Sequence, residues 1–456
     1  MYHSQDPIIA LATPLGMSAI AVVRLSGKGV ISMLNTVFRG NDLTKQASHT
    51  IHFGCIQKED TMIDEVLVAL FIAPHSFTKE DSVEISCHGS PFIVHQLIQL
   101  FIERGVRIAE PGEFTKRAFL NGRFDLTQAE AVADLISADS ALAHQIALRQ
   151  MRGGFASDLK ALREELIHFA AMLELELDFS EENVECLDRT DLQALADKII
   201  VAIRLLMESF SFGNVIKNGI PVVIAGKPNV GKSTLLNNLL HEERAIVSPI
   251  AGTTRDTIEG QLHLGGMLFR FIDTAGLRET VSDEIEAIGI DRTKQQLRKA
   301  SVVFYLVDVS TTTLAEAEEE LVALGLEGFP IIRIVNKVDI AISESTLESF
   351  VQKDYLPISA RANSGTDKLK NELLQIVAGA QLDTTGTVVM NARHYERLQK
   401  SKQALEAVIT GLKMKLSSEL LASDIRTALH HLGEITGDIT TEDILGEIFS
   451  KFCIGK

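Results

Sequence analysis

The segment that most constrains the fold of this chain is Gly226–Ser233, which reads Gly-Lys-Pro-Asn-Val-Gly-Lys-Ser and matches the pattern G-x-x-x-x-G-K-[ST]. It follows an apolar run, Val222–Ala225, that predicts a strand, and it precedes a run with helical spacing, Thr234–Leu240. Glycines let successive backbone N–H groups turn inward around phosphate oxygens, and the helix N-terminus adds its positive dipole end. The segment therefore predicts a phosphate-binding loop inside an α/β domain.

Three later motifs predict that the phosphates belong to GTP. Asp273–Gly276 (Asp-Thr-Ala-Gly) follows a predicted strand, where Asp273 can hold Mg²⁺ through water and the Gly276 amide can meet a γ-phosphate. In Asn336–Asp339 (Asn-Lys-Val-Asp), the Asp339 carboxylate can accept the two adjacent N–H donors of guanine, which adenine lacks. The expected GTP-binding residues are Asn229, Val230, Gly231, Lys232, Ser233, Thr234, Ser248, Pro249, Ile250, Ala251, Gly252, Thr253, Thr254, Asp273, Thr274, Ala275, Gly276, Asn336, Lys337, Asp339, Ser359, Ala360 and Arg361.

The order of textures along the chain predicts a multidomain α/β plus all-α protein. Short β-branched runs with turns fill residues 1–118, helical spacing follows in 119–213, strands alternate with helices in 214–378, and helical spacing returns in 379–456. Strands that alternate with helices indicate a parallel-type sheet covered on both faces. We therefore expect an N-terminal α/β domain and a discontinuous helical domain into which a Ras-like P-loop domain is inserted.

Composition narrows the compartment and the partners. The 456 residues carry 44 Lys plus Arg against 61 Asp plus Glu, a formal net charge of −17, which argues against a broad basic surface for nucleic acid. A local basic patch near Arg104, Arg107, Lys116, Arg117 and Arg123 stays open. Scattered cysteines, an N-terminus unlike a signal peptide and the lack of an apolar run of about 20 residues indicate a cytoplasmic protein with no membrane span.

Hydrolysis needs a group that orients water, and Leu277 stands where Ras-like enzymes place a glutamine. One candidate replacement is the loop Ser248–Asp256, in which Thr254 can ligate Mg²⁺ and backbone carbonyls, together with Asn229, can hold a monovalent cation. The other candidate is the acidic stretch Asp283–Glu286, whose carboxylates can order water. That stretch can equally be a solvated helix start, so the sequence leaves this alternative open.

These motifs, together with both chain ends, resemble the MnmE (TrmE) family of tRNA-modifying GTPases over essentially the whole chain. The loop Gly252–Asp256 is similar to that of the potassium-dependent, dimerisation-activated GTPases. The terminal Cys453–Lys456 and the segment Phe114–Leu126 are the more specific features.

The resemblance implies a function for each region. The N-terminal domain would bind a tetrahydrofolate, such as 5-formyltetrahydrofolate, and form the homodimer, and two G domains would pair in a K⁺-dependent way to hydrolyse GTP. With a flavin-containing MnmG-type partner, in a heterotetrameric complex, such proteins add an aminomethyl-type (carboxymethylaminomethyl) group to C5 of the wobble uridine of certain tRNAs.

The resemblance also assigns residues. It implies Mg²⁺ ligands at Ser233 and Thr254, K⁺ ligands at Asn229, Ser248, Ile250 and Thr253, and folate contacts at Arg24, Glu84, Arg123 and Lys456. It implies that Glu286, with Glu284 as its rival, positions the attacking water, and that Cys453 takes part in catalysis or positions the substrate. Without the resemblance, Cys453 reads as a thiol packed beside Phe452, and Arg24 reads as a surface charge.

Two other functions compete with this interpretation. A ribosome-assembly GTPase of the same superfamily is one, although such a protein is expected to append a basic RNA-binding domain. A dimerising GTPase switch without folate chemistry is the other.

Overall fold

The structure, a computed structural model, describes residues 6–178, 189–241, 260–273, 300–325, 328–340, 343–379 and 387–455. The chain forms two compact units. The first comprises residues 1–136, 147–203 and 396–456, and the second comprises residues 137–146 and 204–395.

A seven-stranded sheet organises the N-terminal part of the first unit. Its strand order is β3-β4-β5-β6-β2-β1-β7, and all neighbours are antiparallel except β1 and β7. Helices Val30–Val37 and Pro91–Ile102 pack on one face and bury its aliphatic side chains, as the alternation of buried and exposed residues along β5 requires. The strands are β1 (Ile8–Leu11), β2 (Ser18–Ser26), β3 (Phe38–Arg39), β4 (Thr50–Lys58), β5 (Thr61–Phe71), β6 (Ser82–Gly89) and β7 (Arg107–Ile108).

Helices make up the rest of the first unit, and two of its distant stretches of chain pack together. Helix Gly154–Asp178 lies against helix Ser418–Thr436. Leu126 and Ala129 share a core with Leu445, Ile448 and Phe449 near the C-terminus. Gly153, with a φ of 87°, separates the two helices Ala141–Met151 and Gly154–Asp178. The helices here and across the unit boundaries are Glu113–Leu120, Leu126–Ile136, Ala141–Met151, Gly154–Asp178, Arg189–Asn218, Ala392–Lys413, Ser418–Thr436 and Glu442–Phe449.

The second unit contains a six-stranded sheet in the order β13-β12-β11-β8-β10-β9. All neighbours are parallel except β9 and β10. Because β8 is buried on both faces, Val222 and Ile224 enter one core while Val223 and Ala225 enter the other. The strands are β8 (Ile220–Ala225), β9 (Gly260–Leu264), β10 (Met267–Asp273), β11 (Val302–Asp308), β12 (Ile331–Asn336) and β13 (Tyr355–Pro357), and the helices are Lys232–His241, Leu314–Ala323, Glu344–Val351 and Thr366–Gly379.

The predicted fold class is confirmed: an antiparallel α/β region, a helical region and a parallel-type P-loop sheet are all present. The sequence analysis did not propose β4 or β9 as strands. In β4, His52 and Gly54 are buried while Ile51 and Phe53 are exposed, so its apolar residues do not mark the buried face. β9 is short and lies at the edge of its sheet.

One helix among the described residues, over Thr190–Asn218, is long and apolar enough to cross a membrane. Core helices of soluble proteins pass the same test, so this helix is weak evidence for a membrane protein.

Candidate nucleotide site and N-terminal cavity

The phosphate loop lies between β8 and helix Lys232–His241, and two of its glycines have no room for a side chain. A Cβ on Gly226, where φ is 142°, would meet the Leu306 carbonyl oxygen at 2.2 Å. A Cβ on Gly231, where φ is 104°, would meet Asn336 Nδ2 at 2.3 Å. Asn229 between them also has a positive φ, of 63°. Close backbone approach and left-handed conformation both explain why glycine recurs in this loop.

Lys232 holds its ammonium over the same loop. Its Nζ donates to the carbonyl oxygens of Gly226 and Lys227, both at 2.9 Å, and the residue is buried. Ser233 and Thr234 follow in the first turn of the helix and are exposed. The arrangement places one cation and two exposed hydroxyl groups at a helix N-terminus, which suits a phosphate and its metal ion.

A second loop approaches the first through Asn336, which is almost fully buried. Its Nδ2 donates to the Val230 carbonyl oxygen at 2.7 Å, and its Oδ1 accepts from the Ala360 amide at 2.9 Å. The side chain thus ties the phosphate loop to the two loops that follow β12 and β13. Asn238 in the helix adds a hydrogen bond to the Ala360 carbonyl oxygen.

Asp339 lies exposed at the end of this arrangement, where it can meet a base. Ser359 Oγ donates to its Oδ1 at 2.6 Å. That hydrogen bond is the largest influence on the carboxyl and holds the pKa of Asp339 below its usual value, with Arg361 and Lys337 adding to the effect. A carboxylate that stays ionised and exposed can accept the two adjacent N–H groups of guanine.

Several predicted residues lie outside the described part of the chain. Asp273 is described only as the last residue of β10. The others outside it are Ser248, Pro249, Ile250, Ala251, Gly252, Thr253, Thr254, Thr274, Ala275, Gly276, Glu284, Glu286 and Lys456.

In the first unit, three of the four residues expected to contact folate line one cavity of about 530 Å³. Arg24 on β2 and Glu84 on β6 are direct neighbours across the sheet, and Arg24 Nε and Nη2 donate to Glu84 Oε1 at 2.9 and 2.6 Å. The Arg123 guanidinium lies 5.1 Å from the Phe77 ring centroid. Charged groups beside an aromatic ring make this cavity suitable for a flat, polar heterocycle.

The C-terminal tail reaches the same place through its backbone. Arg24 Nη1 donates to the Gly455 carbonyl oxygen at 3.4 Å, and the Gly112 amide donates to the Cys453 carbonyl oxygen at 3.3 Å. The Cys453 thiol is free and exposed, so it is not the packed thiol that the residues alone suggested. Arg24, with a side chain 19% exposed, is likewise no ordinary surface charge.

The predicted basic patch is wrong at two of its residues, because their charges are already paired with glutamates. Arg117 is buried, and its guanidinium pairs with Glu113 at 2.9 Å and with Glu80 at 3.2 Å. Arg107 pairs with the same Glu113 at 2.6 Å. The fold brings Glu113 next to both arginines and Glu80 next to Arg117, so their carboxylates neutralise the guanidinium charges. The sequence analysis did not consider these two glutamates.

A cluster of His430, His431 and Glu434 brings its ligand atoms within 4.8 Å of one another on helix Ser418–Thr436. Arg397 Nε already lies 3.2 Å from Glu434 Oε2, the oxygen that also accepts from His431. A guanidinium beside the carboxylate disfavours a divalent cation, so we interpret this cluster as an ion-pair network.

Sequence reasoning missed further residues of the cavity wall. His49, His75, Phe77 and Lys79 contribute from turns rather than from strands. The clustering of histidine, phenylalanine and proline between β5 and β6 was the only available signal. Nothing in its spacing indicated a shared cavity.

Together, a P-loop, a guanine-reading loop and the β13-β12-β11-β8-β10-β9 sheet define a GTP-binding protein of the P-loop class. Two family descriptions match the chain: "GTP-binding protein TrmE N-terminus" over residues 7–123 and "MnmE helical domain" over residues 126–453. The chain belongs to the MnmE family.

Full-length relatives agree with these matches. A protein of Cytophaga hutchinsonii named tRNA modification GTPase MnmE is 54% identical over 99% of this chain and 98% of its own length. Relatives of the same name from Flavobacterium johnsoniae and Bacteroides fragilis are 51% and 48% identical, each over 99% of this chain and 100% of their own.

Solved structures show a more partial likeness. The Era protein of Aquifex aeolicus is 27% identical over 40% of this chain and 66% of its own, with a TM-score of 0.29. The FeoB G domain of Methanococcus jannaschii is 25% identical over 35% of this chain and 97% of its own, with a TM-score of 0.26. The fold assignment above rests on strand order and not on these matches.

Proposed function

We propose that this MnmE-family GTPase is K⁺-dependent and activated by dimerisation, and that with a flavin-containing MnmG-type partner it modifies C5 of tRNA wobble uridines. A tetrahydrofolate derivative supplies the one-carbon unit. The observation that supports the proposal most directly is that one chain contains both a guanine-nucleotide site, in one unit, and a charged, aromatic-walled cavity, in the other unit. A GTPase that acted only as a switch has no use for the second site.

The proposed roles at the nucleotide are supported by the geometry of the described residues and, for Thr254, by the family resemblance. Backbone N–H groups of Asn229–Lys232 cradle the phosphates, Lys232 Nζ moves from the loop carbonyls to the β- and γ-phosphates, and Ser233 ligates Mg²⁺ together with Thr254. The exposed Asp339 carboxylate reads guanine, and Asn336 keeps the three loops in register. This division separates phosphate binding from base selection.

Hydrolysis proceeds with a monovalent cation near the phosphates. Asn229 is exposed within the phosphate loop, where its side-chain oxygen can join Ser248, Ile250 and Thr253 in binding K⁺. A cation held by these residues would offset the negative charge that develops as the γ-phosphate is transferred to water. Glu286 orients that water. Glu286 and three of the K⁺ ligands lie outside the described residues, so this step rests on the family resemblance.

In the cavity, the proposed ligand is a reduced folate such as 5-formyltetrahydrofolate. The Glu84 carboxylate accepts from an amino-pyrimidine edge, Arg24 holds that carboxylate in place, and Arg123 with Phe77 binds along the heterocycle. The Gly455 carbonyl oxygen accepts from Arg24 at this cavity. We propose that Cys453, two residues before it, positions substrate or takes part in catalysis, and that Lys456, which the family resemblance assigns to folate, contacts the same ligand.

A homodimer is supported by an apolar sheet face. Phe53 on β4 and Leu67 on β5 are direct neighbours, and Ile51 and Ile20 extend the same face. These four side chains are 48–68% exposed. Monomeric proteins rarely expose a contiguous apolar patch of this kind, so a second copy is the partner that we propose for it. The proposed compartment is the cytoplasm.

The experiment that tests the cation mechanism compares GTP hydrolysis in K⁺ and in Na⁺ at equal ionic strength. We expect at least roughly tenfold faster hydrolysis in K⁺, about 1.4 kcal/mol in activation free energy. Asn229→Ala should remove most of that difference, whereas Asn238→Ala, in the next helix, should keep it. Equal wild-type rates in both salts would contradict the cation mechanism and leave GTP binding untouched.

A further inference from the structure

Asp308 is the last residue of β11, and its carboxylate is nearly inaccessible, with 5% of the side chain exposed. Oδ2 accepts from Lys337 Nζ at 2.6 Å. Oδ1 accepts from the Ser310 amide at 2.9 Å and from Ser310 Oγ at 2.6 Å. One oxygen is therefore fixed by the turn after β11, and the other holds the lysine of the guanine-reading loop.

Lys337 needs such a partner because two carboxylates lie within its reach. Lys337 lies in the sequence between the buried Asn336 and the exposed Asp339. Its backbone φ is 66°, a value that L-residues seldom adopt. The positive charge of Lys337 also contributes to the lowered pKa of Asp339. A direct ion pair between Lys337 and Asp339 would occupy the oxygens that guanine must use.

We propose that Asp308 is a positioning residue that holds the Lys337 ammonium away from Asp339, so that the Asp339 carboxylate stays open for guanine and the lysine stem lies along the base. This inference rests on the proposed binding of GTP. It adds a third carboxyl-terminal strand end, that of β11, to the site. The pairing of Asp308 with Asn336 in the parallel register of β11 and β12 brings the two loops together.

The charge state of Asp308 supports this role. Burial raises the pKa of the Asp308 carboxyl, but the hydrogen bonds from Lys337 and Ser310 outweigh burial and hold the pKa below its usual value. The carboxylate is therefore ionised at neutral pH and retains its hold on the lysine ammonium.

Asp308→Asn isolates this interaction in the full-length protein. The amide oxygen can still accept from Ser310, so the turn is kept, while the anion that attracts Lys337 is lost. We expect the affinity for a fluorescent GDP analogue to fall roughly tenfold, the range of one charge-assisted hydrogen bond. The hydrolysis rate at saturating GTP should not change. Glu318→Gln, which removes a carboxylate beside Arg333 and Tyr355 in the same unit, is the matched control and should bind like the wild type.

A double-mutant cycle distinguishes positioning from a structural role. In a Lys337→Ala background, Asp308→Asn should cause no further loss of affinity, because the group through which it acts is gone. A tenfold loss that persists in that background would overturn the inference, as would an unchanged affinity of Asp308→Asn alone. If the wild-type protein bound no guanine nucleotide, the proposed function itself would fall, which the wild-type titration shows separately.

Discussion

At the scale of single residues, the nucleotide site depends on glycine positions where neighbouring atoms leave no room for a side chain. Gly231 is the sharpest case, because its backbone lies against the Asn336 amide that ties the loops. The same position has φ of 104°, so both space and backbone conformation select glycine.

Gly231→Ala separates these two demands. We expect at least roughly tenfold weaker GTP binding, about 1.4 kcal/mol, because the new methyl group displaces Asn336. Gly325→Ala is the matched control: its φ is also positive, at 64°, but a Cβ there meets nothing within 4 Å. Equilibrium titration with a fluorescent GTP analogue checks both. Equal affinities for the two variants would contradict the proposal that a side chain at position 231 displaces Asn336 and weakens GTP binding.

A part of the site could be predicted from the sequence where the residues that act together lie close to one another along the chain. The loop Gly226–Ser233 and the segment Asn336–Asp339 were predictable, since each carries its chemistry within eight residues or fewer. Asp308 was not, because an acidic residue at a strand end is common and its partner, Lys337, lies 29 residues further along the chain, directly after β12. Glu80 was missed because its partner, Arg117, lies 37 residues away in the sequence. Glu113 was missed although Arg117 lies four residues further along the same helix, and Arg117 was therefore assigned to a basic patch.

At the scale of an element, helix Glu113–Leu120 is fixed by ion pairs as well as by packing. Glu113 begins it and accepts hydrogen bonds from Arg107, Arg117 and the Glu110 amide. Burial raises the pKa of the Glu113 carboxyl, but these three donors outweigh burial and lower it below its usual value. Breaking a buried pair of this kind is costly because the remaining guanidinium groups lose their partner.

Glu113→Gln should therefore reduce the free energy of unfolding of the first unit by about 3 kcal/mol at neutral pH. The stabilisation exists above the unfolded-state pKa of a glutamate and disappears as pH falls through the lower folded-state pKa. Wild type should accordingly lose stability on acidification over that window, and Glu113→Gln should lose less. Urea unfolding at several pH values measures this. The exposed pair Lys58–Glu103 supplies the control Glu103→Gln, which should destabilise the protein far less because water screens the exposed pair. Equal costs for the two variants would contradict the account.

The strands differ in how clearly the sequence indicates them. All seven residues of β11 (Val302–Asp308) are buried and the first six form a continuous apolar run, which is the pattern that most directly predicts a strand. β4 was missed because Gly54 and exposed Ile51 and Phe53 blur its alternation. The exposed apolar side chains that confused the prediction are those that support a dimer.

At the scale of the whole molecule, two features bear on the binding of partners: the net charge of −17 and the apolar sheet face. Ion pairs neutralise part of the basic segment 104–123. If the protein acts on tRNA as we propose, most phosphate contact should therefore come from the proposed flavin-containing partner. The apolar face should be covered by a second copy of the chain.

Phe53→Asp tests the dimer. A charge in the centre of the face should shift the protein toward monomer, with at least roughly tenfold weaker association. Met414→Asp is the control, since Met414 is 67% exposed but lies outside the sheet. Sedimentation velocity over a range of concentrations reports both. An unchanged dimer in Phe53→Asp would show that another surface holds the copies together.

The central claim is that guanine-nucleotide binding and the N-terminal cavity serve one reaction on tRNA. Its most direct test is mass spectrometry of tRNA nucleosides from a strain that lacks this gene, complemented with the wild type, with Asp339→Asn or with Glu84→Gln. We predict that the deletion removes the aminomethyl-type wobble uridine, that the wild type restores it, and that neither variant does. Unchanged wobble uridines in the deletion strain would contradict the account.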